Sequence, residues 1–251
     1  MLPGDPPADG LPARHFTTGG LLLRTLSVWW RNAPAFAAVA LVVELPLAAL
    51  ELHAGEADDP QGGAMLLVFG WFLGLLASGA LAHGVLRSLA GERPGPGAML
   101  ATAARRLWPL FTVAAVYGLT VVAGLFLLLV PGVVAMVGGY LAIPMVVEDP
   151  AIGTERALRR SWTLTRGHRV ALLLAVAILL GLELLAVTGT DQLITRAGVA
   201  RGPQSVGILT AVDAVLTSFT SACAAVAYHD LRALGEARSQ TAPKNPSVPW
   251  R

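Results

Sequence analysis

The sequence predicts an all-α fold, a polytopic membrane helical bundle of six transmembrane helices with amphipathic interfacial helices and both termini in the cytoplasm. Of its 251 residues, 55% are hydrophobic and only 14% are charged, whereas about 25% are charged in a soluble domain. Apolar stretches close to the ~20 residues that cross a bilayer alternate with short segments rich in arginine. The mean hydropathy of +0.63 agrees with a membrane protein.

The two ends of the chain and a first interfacial helix lie outside the apolar stretches. Residues 1–16 are predicted to be a disordered cytoplasmic lead, because they hold two aspartates and several prolines and no basic start typical of a secretory signal. Residues 19–31 combine paired tryptophans with arginines, which suits a helix at the headgroup level. Asn32 and Pro34 favour a break after it, although the stretch could also begin the first span. Residues 237–251 are predicted to be a disordered tail.

Six apolar stretches form the predicted membrane domain, residues 17–236. The third and fourth belong to one apolar block. We divide it at Val130-Pro131-Gly132, because Pro and Gly favour a tight turn and a block of this length must cross twice. The predicted spans cover residues 33–52, 64–86, 107–129, 133–147, 170–188 and 206–228.

The placement of arginines predicts the orientation of the chain. Four segments, at the two ends and between alternate spans, hold all 18 Lys and Arg residues except Arg196 and Arg201. The loop between the first and second spans is acidic instead. By the positive-inside rule, the arginine-rich segments and both termini are cytoplasmic.

The connection between the fourth and fifth spans predicts a second amphipathic helix, over residues 150–166. Asp149 is placed to cap it, with Pro150 at its first position, and Gly167 suits its end. Acidic residues at its start and arginines toward its end match the helix dipole. These features together specify an amphipathic helix well.

The arginines of this helix have two interpretations. Leu158 and Trp162 lie four residues apart and give the helix an apolar stripe. The arginines beside that stripe either contact anionic lipid headgroups or serve only to anchor the topology. The candidate lipid contacts are Arg156, Arg159, Arg160 and Arg166.

Three carboxylic acids lie within predicted spans: Glu44 in the first, Glu183 in the fifth and Asp213 in the sixth. With a helical rise of 1.5 Å per residue, all three lie roughly 17–20 Å from the inner surface. One interpretation is a shared site for protons or a cation, because intramembrane ionisable groups are costly and mark functional sites. The other is that each acid is protonated and hydrogen-bonded to a nearby hydroxyl or carbonyl group.

The motifs of common enzymes and metal sites are absent from the sequence. It has no P-loop, no dinucleotide-binding glycine pattern and no serine-hydrolase elbow, and its five histidines lack the spacing of metal ligands. The single Cys223 excludes an intrachain disulfide and a thiolate metal cluster. The arginines form no continuous basic face for nucleic acid. We therefore expect no catalytic residues, no cofactor, no metal and no nucleic-acid partner.

A series of segments carries a resemblance to a known family. In order they are Pro131-Gly132, an apolar span that ends in Pro144, the acidic step VVED at 146–149, ALRRSWTLTRGH at 157–168 and AYHDLRALGE at 227–236. This order resembles bacterial six-span membrane proteins of the glycerophosphodiester phosphodiesterase membrane-domain family. The resemblance implies a multi-pass protein of the bacterial cytoplasmic (inner) membrane. The catalytic domain of some members has no counterpart in this sequence, so the resemblance does not imply their enzymatic activity.

These observations favour a non-enzymatic integral membrane protein that acts in membrane or lipid homeostasis or as a scaffold, with membrane lipids as its partners. The alternative is a small transporter or proton-linked permease that uses Glu44, Glu183 and Asp213. A lipid-modifying membrane enzyme is the third hypothesis, and no nucleophile–base pair in the sequence supports it.

Overall fold

The computed structural model describes residues 16–54, 60–199 and 202–241, and in these ranges the regular structure is all α-helix. The helices of the described part are α1 (Thr18–Ala54), α2 (Pro60–Leu89), α3 (Pro96–Arg105), α4 (Leu107–Leu127), α5 (Leu129–Gly139), α6 (Ala142–Glu148), α7 (Thr154–Thr165), α8 (Arg169–Arg196) and α9 (Pro203–Thr241). Of the predicted disordered ends, residues 1–15 and 242–251 lie outside the described residues. Residues 237–241 form the end of α9, so the prediction of disorder was wrong for them, because the helix continues beyond the predicted boundary.

Six stretches of the described chain are long and apolar enough to cross a membrane, which confirms the predicted all-α membrane class. The fourth of them combines α5 and α6. The side of the membrane on which each end lies stays a prediction. The six stretches are Thr18–Leu50, Leu66–Leu89, Leu107–Leu127, Leu129–Glu148, Arg169–Arg196 and Pro203–Ala237.

The first helix differs from the prediction. α1 continues without a break through Asn32 and Pro34, so the prediction of a separate helix over 19–31 was wrong. The reason is packing: Val28 and Phe36, on either side of Pro34, are both buried in the same core. The Asn32 amide also donates hydrogen bonds to the Val28 carbonyl at 2.8 Å and to the Ser88 hydroxyl of α2 at 2.7 Å. Tertiary contacts on both sides of a proline outweigh its local preference for a helix end.

The arginine-rich ends of the helices meet at one end of the bundle, which we call the basic end. There the Thr18 hydroxyl donates to the Ala171 carbonyl at 2.9 Å, and Arg24 forms an ion pair with Asp230 at 2.6 Å. α1 and α9 run antiparallel, because Arg24 lies beside Asp230 and Glu44 lies beside Asp213. Much of the buried core lies toward this end. By contrast, the middle of α8 exposes Leu180, Leu182, Leu184 and Leu185, and the α4–α5 turn at the far end exposes all residues from Leu125 to Val130.

The fourth span is made of two short helices rather than the single predicted helix over 133–147. α5 begins at Leu129, after the extended Leu128 (φ −164°, ψ 146°), so the turn lies before the predicted Val130-Pro131-Gly132. Pro131 falls in the first turn of α5, where its missing N–H leaves no hydrogen bond unmade. A second interruption, at Tyr140 and Leu141, separates α5 from α6.

The amphipathic helix α7 begins at Thr154 rather than at Pro150, so the predicted cap at Asp149 was wrong. The Asp149 carboxylate instead accepts a hydrogen bond from the Ala151 amide at 3.0 Å, within a turn. Gly153, the residue directly before α7, has a φ of +71°, a conformation that favours glycine. At the other end Gly167 follows the helix with a φ of +89°, as predicted.

Candidate functional site

Ser161 holds α7 against the interruption in the fourth span. Its hydroxyl donates a hydrogen bond to the Gly138 carbonyl (O–O 2.6 Å) and accepts one from the Leu141 amide (N–O 3.2 Å). Gly138 lies in the last turn of α5 and Leu141 precedes the first turn of α6, so neither group has a partner within a helix. Unsatisfied backbone groups are especially costly inside a membrane. One side chain of α7 therefore satisfies two backbone hydrogen-bonding groups of a neighbouring span.

Two aromatic rings pack on the glycine pair at the end of α5. A Cβ atom at Gly138 would lie 2.7 Å from Cε2 of Trp162, and one at Gly139 would lie 2.3 Å from Cδ2 of Tyr117. The Tyr117 hydroxyl also donates to the Met136 carbonyl at 2.8 Å. These contacts hold Tyr117 of α4 and Trp162 of α7 in fixed positions against α5.

The buried face of α7 differs in part from the predicted apolar stripe. Ala157, Ser161 and Thr165, spaced four residues apart, are completely buried. Leu158 and Trp162 are only half-buried. Small side chains bring the α7 backbone close to the bundle, and the two large ones lie beside that contact.

A groove of about 700 Å³ lies between α4, α5 and α7. This volume lies within the range of about 300–1,000 Å³ that small-molecule sites occupy. Its wall on α4 and α5 is formed by Val116, Tyr117, Thr120 and Ala135, and its wall on α7 by Thr154, Glu155, Leu158, Arg159, Trp162 and Thr163. The charged residues of the lining all come from α7.

The four arginines predicted to contact lipid are exposed, three on α7 and Arg166 directly after it. Arg159 pairs with Glu155 at 2.8 Å, and both side chains are more than three-quarters exposed. In the part of the chain that the structure describes, no ion pair involves the other three: Arg156, Arg160 and Arg166. A fifth cation lies close by, because the Arg169 guanidinium stacks 4.7 Å from the centroid of the Trp162 ring. Arg169 was not among the candidate lipid contacts predicted from the sequence.

Two of the three intramembrane acids share a second, smaller cavity. Glu44, which is 8% exposed, and Asp213 line a space of about 220 Å³ together with Thr210 and apolar side chains. Glu183 does not line this cavity, although it lies near Asp213. The structure therefore brings Glu44 and Asp213 together and leaves Glu183 to one side. Among the described residues, no group of three or more His, Cys, Asp or Glu is placed to hold a metal ion.

A polar network at the basic end was missed by the sequence analysis. Glu148, the last residue of α6, accepts hydrogen bonds from the Tyr228 hydroxyl and from the Arg232 guanidinium of α9. Arg232 pairs in turn with Glu236 at 2.9 Å. Glu148 belongs to VVED, and its partners belong to AYHDLRALGE. Two segments that carry the family resemblance, far apart in sequence, thus meet in space.

Comparison of the chain with protein-family models, with curated proteins and with solved structures found no match. The resemblance to the glycerophosphodiester phosphodiesterase membrane-domain family therefore stays a prediction. The chemistry of the groove follows from its own residues. An apolar wall that ends at the exposed Arg159 suits a ligand that has both an apolar part and an anionic part.

Proposed function

We propose that this chain is a non-enzymatic integral membrane protein of the bacterial cytoplasmic membrane that acts in membrane or lipid homeostasis by holding an anionic phospholipid headgroup at α7. In this proposal the basic end faces the cytoplasm, in agreement with the positive-inside rule. The observation that supports it is a helix with exposed arginines, Arg156, Arg159 and Arg160, that Ser161 and Trp162 hold firmly against the bundle.

The chemistry of arginine favours a phosphate ligand. Arginine forms paired, charge-assisted hydrogen bonds with phosphate, and each basic residue near an anionic leaflet contributes about 1 kcal/mol. Arg159 already has a partner in Glu155. An exposed pair at this spacing is worth only about 0.3–0.5 kcal/mol, so a phosphate can replace the carboxylate at little cost.

Native mass spectrometry of the protein purified from a bacterial membrane tests this proposal. We expect the wild-type protein to retain phosphatidylglycerol or cardiolipin, and the triple variant Arg156→Gln, Arg159→Gln, Arg160→Gln to lose it. Arg196→Gln is the matched control, because Arg196 is also exposed but lies at the end of α8 away from the site. The proposal fails if the wild type retains no anionic lipid or if the triple variant retains as much as the control.

A small transporter or proton-linked permease is the second candidate. The observation that favours it is the cavity shared by Glu44 and Asp213, with Glu183 nearby. Proton or cation flux in liposomes tests it. We expect Asp213→Asn and Glu183→Gln to lower a flux that the wild type supports, and equal background flux in all three proteins would exclude this candidate.

A further inference from the structure

We infer that the groove between α4, α5 and α7 holds one acyl chain of the phospholipid whose phosphate lies at the arginines, so that the protein binds a single inner-leaflet phospholipid by tail and headgroup together. This inference rests on the proposed function, because the headgroup position is the one described above. It adds the tail as a second point of recognition.

The groove has an apolar side and a charged side, as an amphiphilic ligand requires. The side on α4 and α5 is apolar apart from two hydroxyls: Val116 and Ala135 line it, the Tyr117 hydroxyl is bonded to the Met136 carbonyl, and the Thr120 hydroxyl is bonded to the Val116 carbonyl. The charged groups stand only on the α7 side, at Glu155 and Arg159. An acyl chain lying along α4 therefore brings the phosphate of its lipid to Arg159.

The position of α7 along α4 agrees with a lipid of the inner leaflet. The Thr154 hydroxyl, at the start of α7, donates to the Thr112 hydroxyl at 3.0 Å, near the start of α4. Further along, Trp162 lines the groove with Thr120, which lies eight residues, or about 12 Å, farther along α4. The groove thus runs from the arginine-rich end of α4 toward its middle, the direction that an inner-leaflet chain takes.

The acyl chain and the headgroup contribute different things to binding. A lipid tail gains little hydrophobic free energy on leaving the bilayer, because its surroundings there are already as apolar as the groove. The tail instead confines its phosphate beside Arg159, which raises the effective concentration of that phosphate. We therefore expect a soluble phosphate to bind far more weakly than the intact lipid.

A substitution that fills the groove tests the tail directly. Thr120→Trp adds a large side chain at an exposed groove position on α4, and Leu119→Trp adds the same side chain at the adjacent residue, which is 72% exposed and lies outside the groove lining. Each protein is purified in detergent, incubated with equal amounts of phosphatidylglycerol and phosphatidylcholine of identical chains, and examined by native mass spectrometry. We expect wild type and Leu119→Trp to retain one phosphatidylglycerol, and Thr120→Trp to bind it about tenfold more weakly, a change equal to about 1.4 kcal/mol.

The outcomes separate this inference from the proposed function. If all three proteins retain phosphatidylglycerol equally, the tail inference is overturned and the headgroup proposal stands. If the wild type retains no phosphatidylglycerol, both fall. Displacement of the lipid by millimolar glycerol 3-phosphate would also overturn the tail inference, because the phosphate alone would then suffice. Val116→Trp, at another exposed groove position, replaces Thr120→Trp if that variant does not fold.

Discussion

The Ser161 hydroxyl lies 2.6 Å from the Gly138 carbonyl oxygen and donates a hydrogen bond to it. Through this contact a polar, arginine-bearing helix takes part in the hydrogen bonding of an apolar span. The same hydroxyl accepts a hydrogen bond from the Leu141 amide. One side chain therefore forms hydrogen bonds on both sides of the interruption. This contact, together with the packing of Trp162 on Gly138, holds α7 and its arginines in place.

Ser161→Ala leaves the Gly138 carbonyl and the Leu141 amide without this partner. A buried polar group left unsatisfied costs about 1–3 kcal/mol, so we expect a clear fall in the melting temperature measured in detergent. Thr163→Ala is the control, because the Thr163 hydroxyl is exposed and bonds only within its own helix, to the Arg159 carbonyl. Equal melting temperatures for the two variants would contradict the role assigned to Ser161.

Gly138→Ala places a Cβ atom 2.7 Å from the Trp162 ring. Because the ring is held between α5 and Arg169, we expect overpacking to destabilise the protein by about 1–3 kcal/mol. Gly181→Ala, in the middle of α8, meets nothing within 4 Å and gains helix propensity of about 1 kcal/mol. The melting temperature should therefore fall for Gly138→Ala and rise for Gly181→Ala. A stabilising Gly138→Ala would show that α7 does not pack as described.

Glu148 and Tyr228 should be energetically coupled, since the hydroxyl donates to the carboxylate. In a double-mutant cycle with Glu148→Gln and Tyr228→Phe, we expect a coupling free energy of about 0.5–1 kcal/mol, at the low end of the range for residues in contact, because Glu148 is partly exposed. Asp149→Asn combined with Tyr228→Phe serves as the control cycle and should be additive. Thermal or denaturant unfolding measures both cycles.

The proposed orientation predicts which positions are labelled from outside the cell. In intact spheroplasts, an impermeant thiol reagent should label Gln192→Cys, near the end of α8, and should not label Arg160→Cys on α7. Both positions are exposed on the protein, and the native Cys223 is buried, so it should contribute little background. After permeabilisation both variants should react. Labelling of Arg160→Cys in intact spheroplasts would reverse the orientation.

The sequence was sufficient for the class of the fold because hydropathy is a local property of each stretch. It failed where contacts between helices decided the outcome. Asn32 and Pro34 favour a helix end locally, yet the burial of Val28 and Phe36 on one continuous face keeps α1 intact. At α7 the predicted start at Pro150 was wrong, because Gly153 adopts a positive φ and the helix begins directly after it, at Thr154.

The candidate site was predictable only in part for the same reason. The arginines and Trp162 could be named from one amphipathic segment. The groove could not, because it requires Val116 of α4 and Ala135 of α5 to lie beside α7. The contact between Glu148 and Tyr228 joins residues 80 positions apart, and no periodicity or spacing within either segment indicates it.

The hydrogen bonds of Ser161 to the fourth span have a consequence for the synthesis of the protein. Ser161 follows Leu141 by 20 residues, so it emerges from the ribosome roughly one to four seconds after Leu141 at ~5–20 residues per second. During this interval the interrupted span has left the ribosome without the hydroxyl that satisfies its backbone. We expect the membrane-insertion machinery to shelter the unfinished span until Ser161 emerges, and a pause in translation during this interval would prolong the time for which the nascent protein is open to degradation.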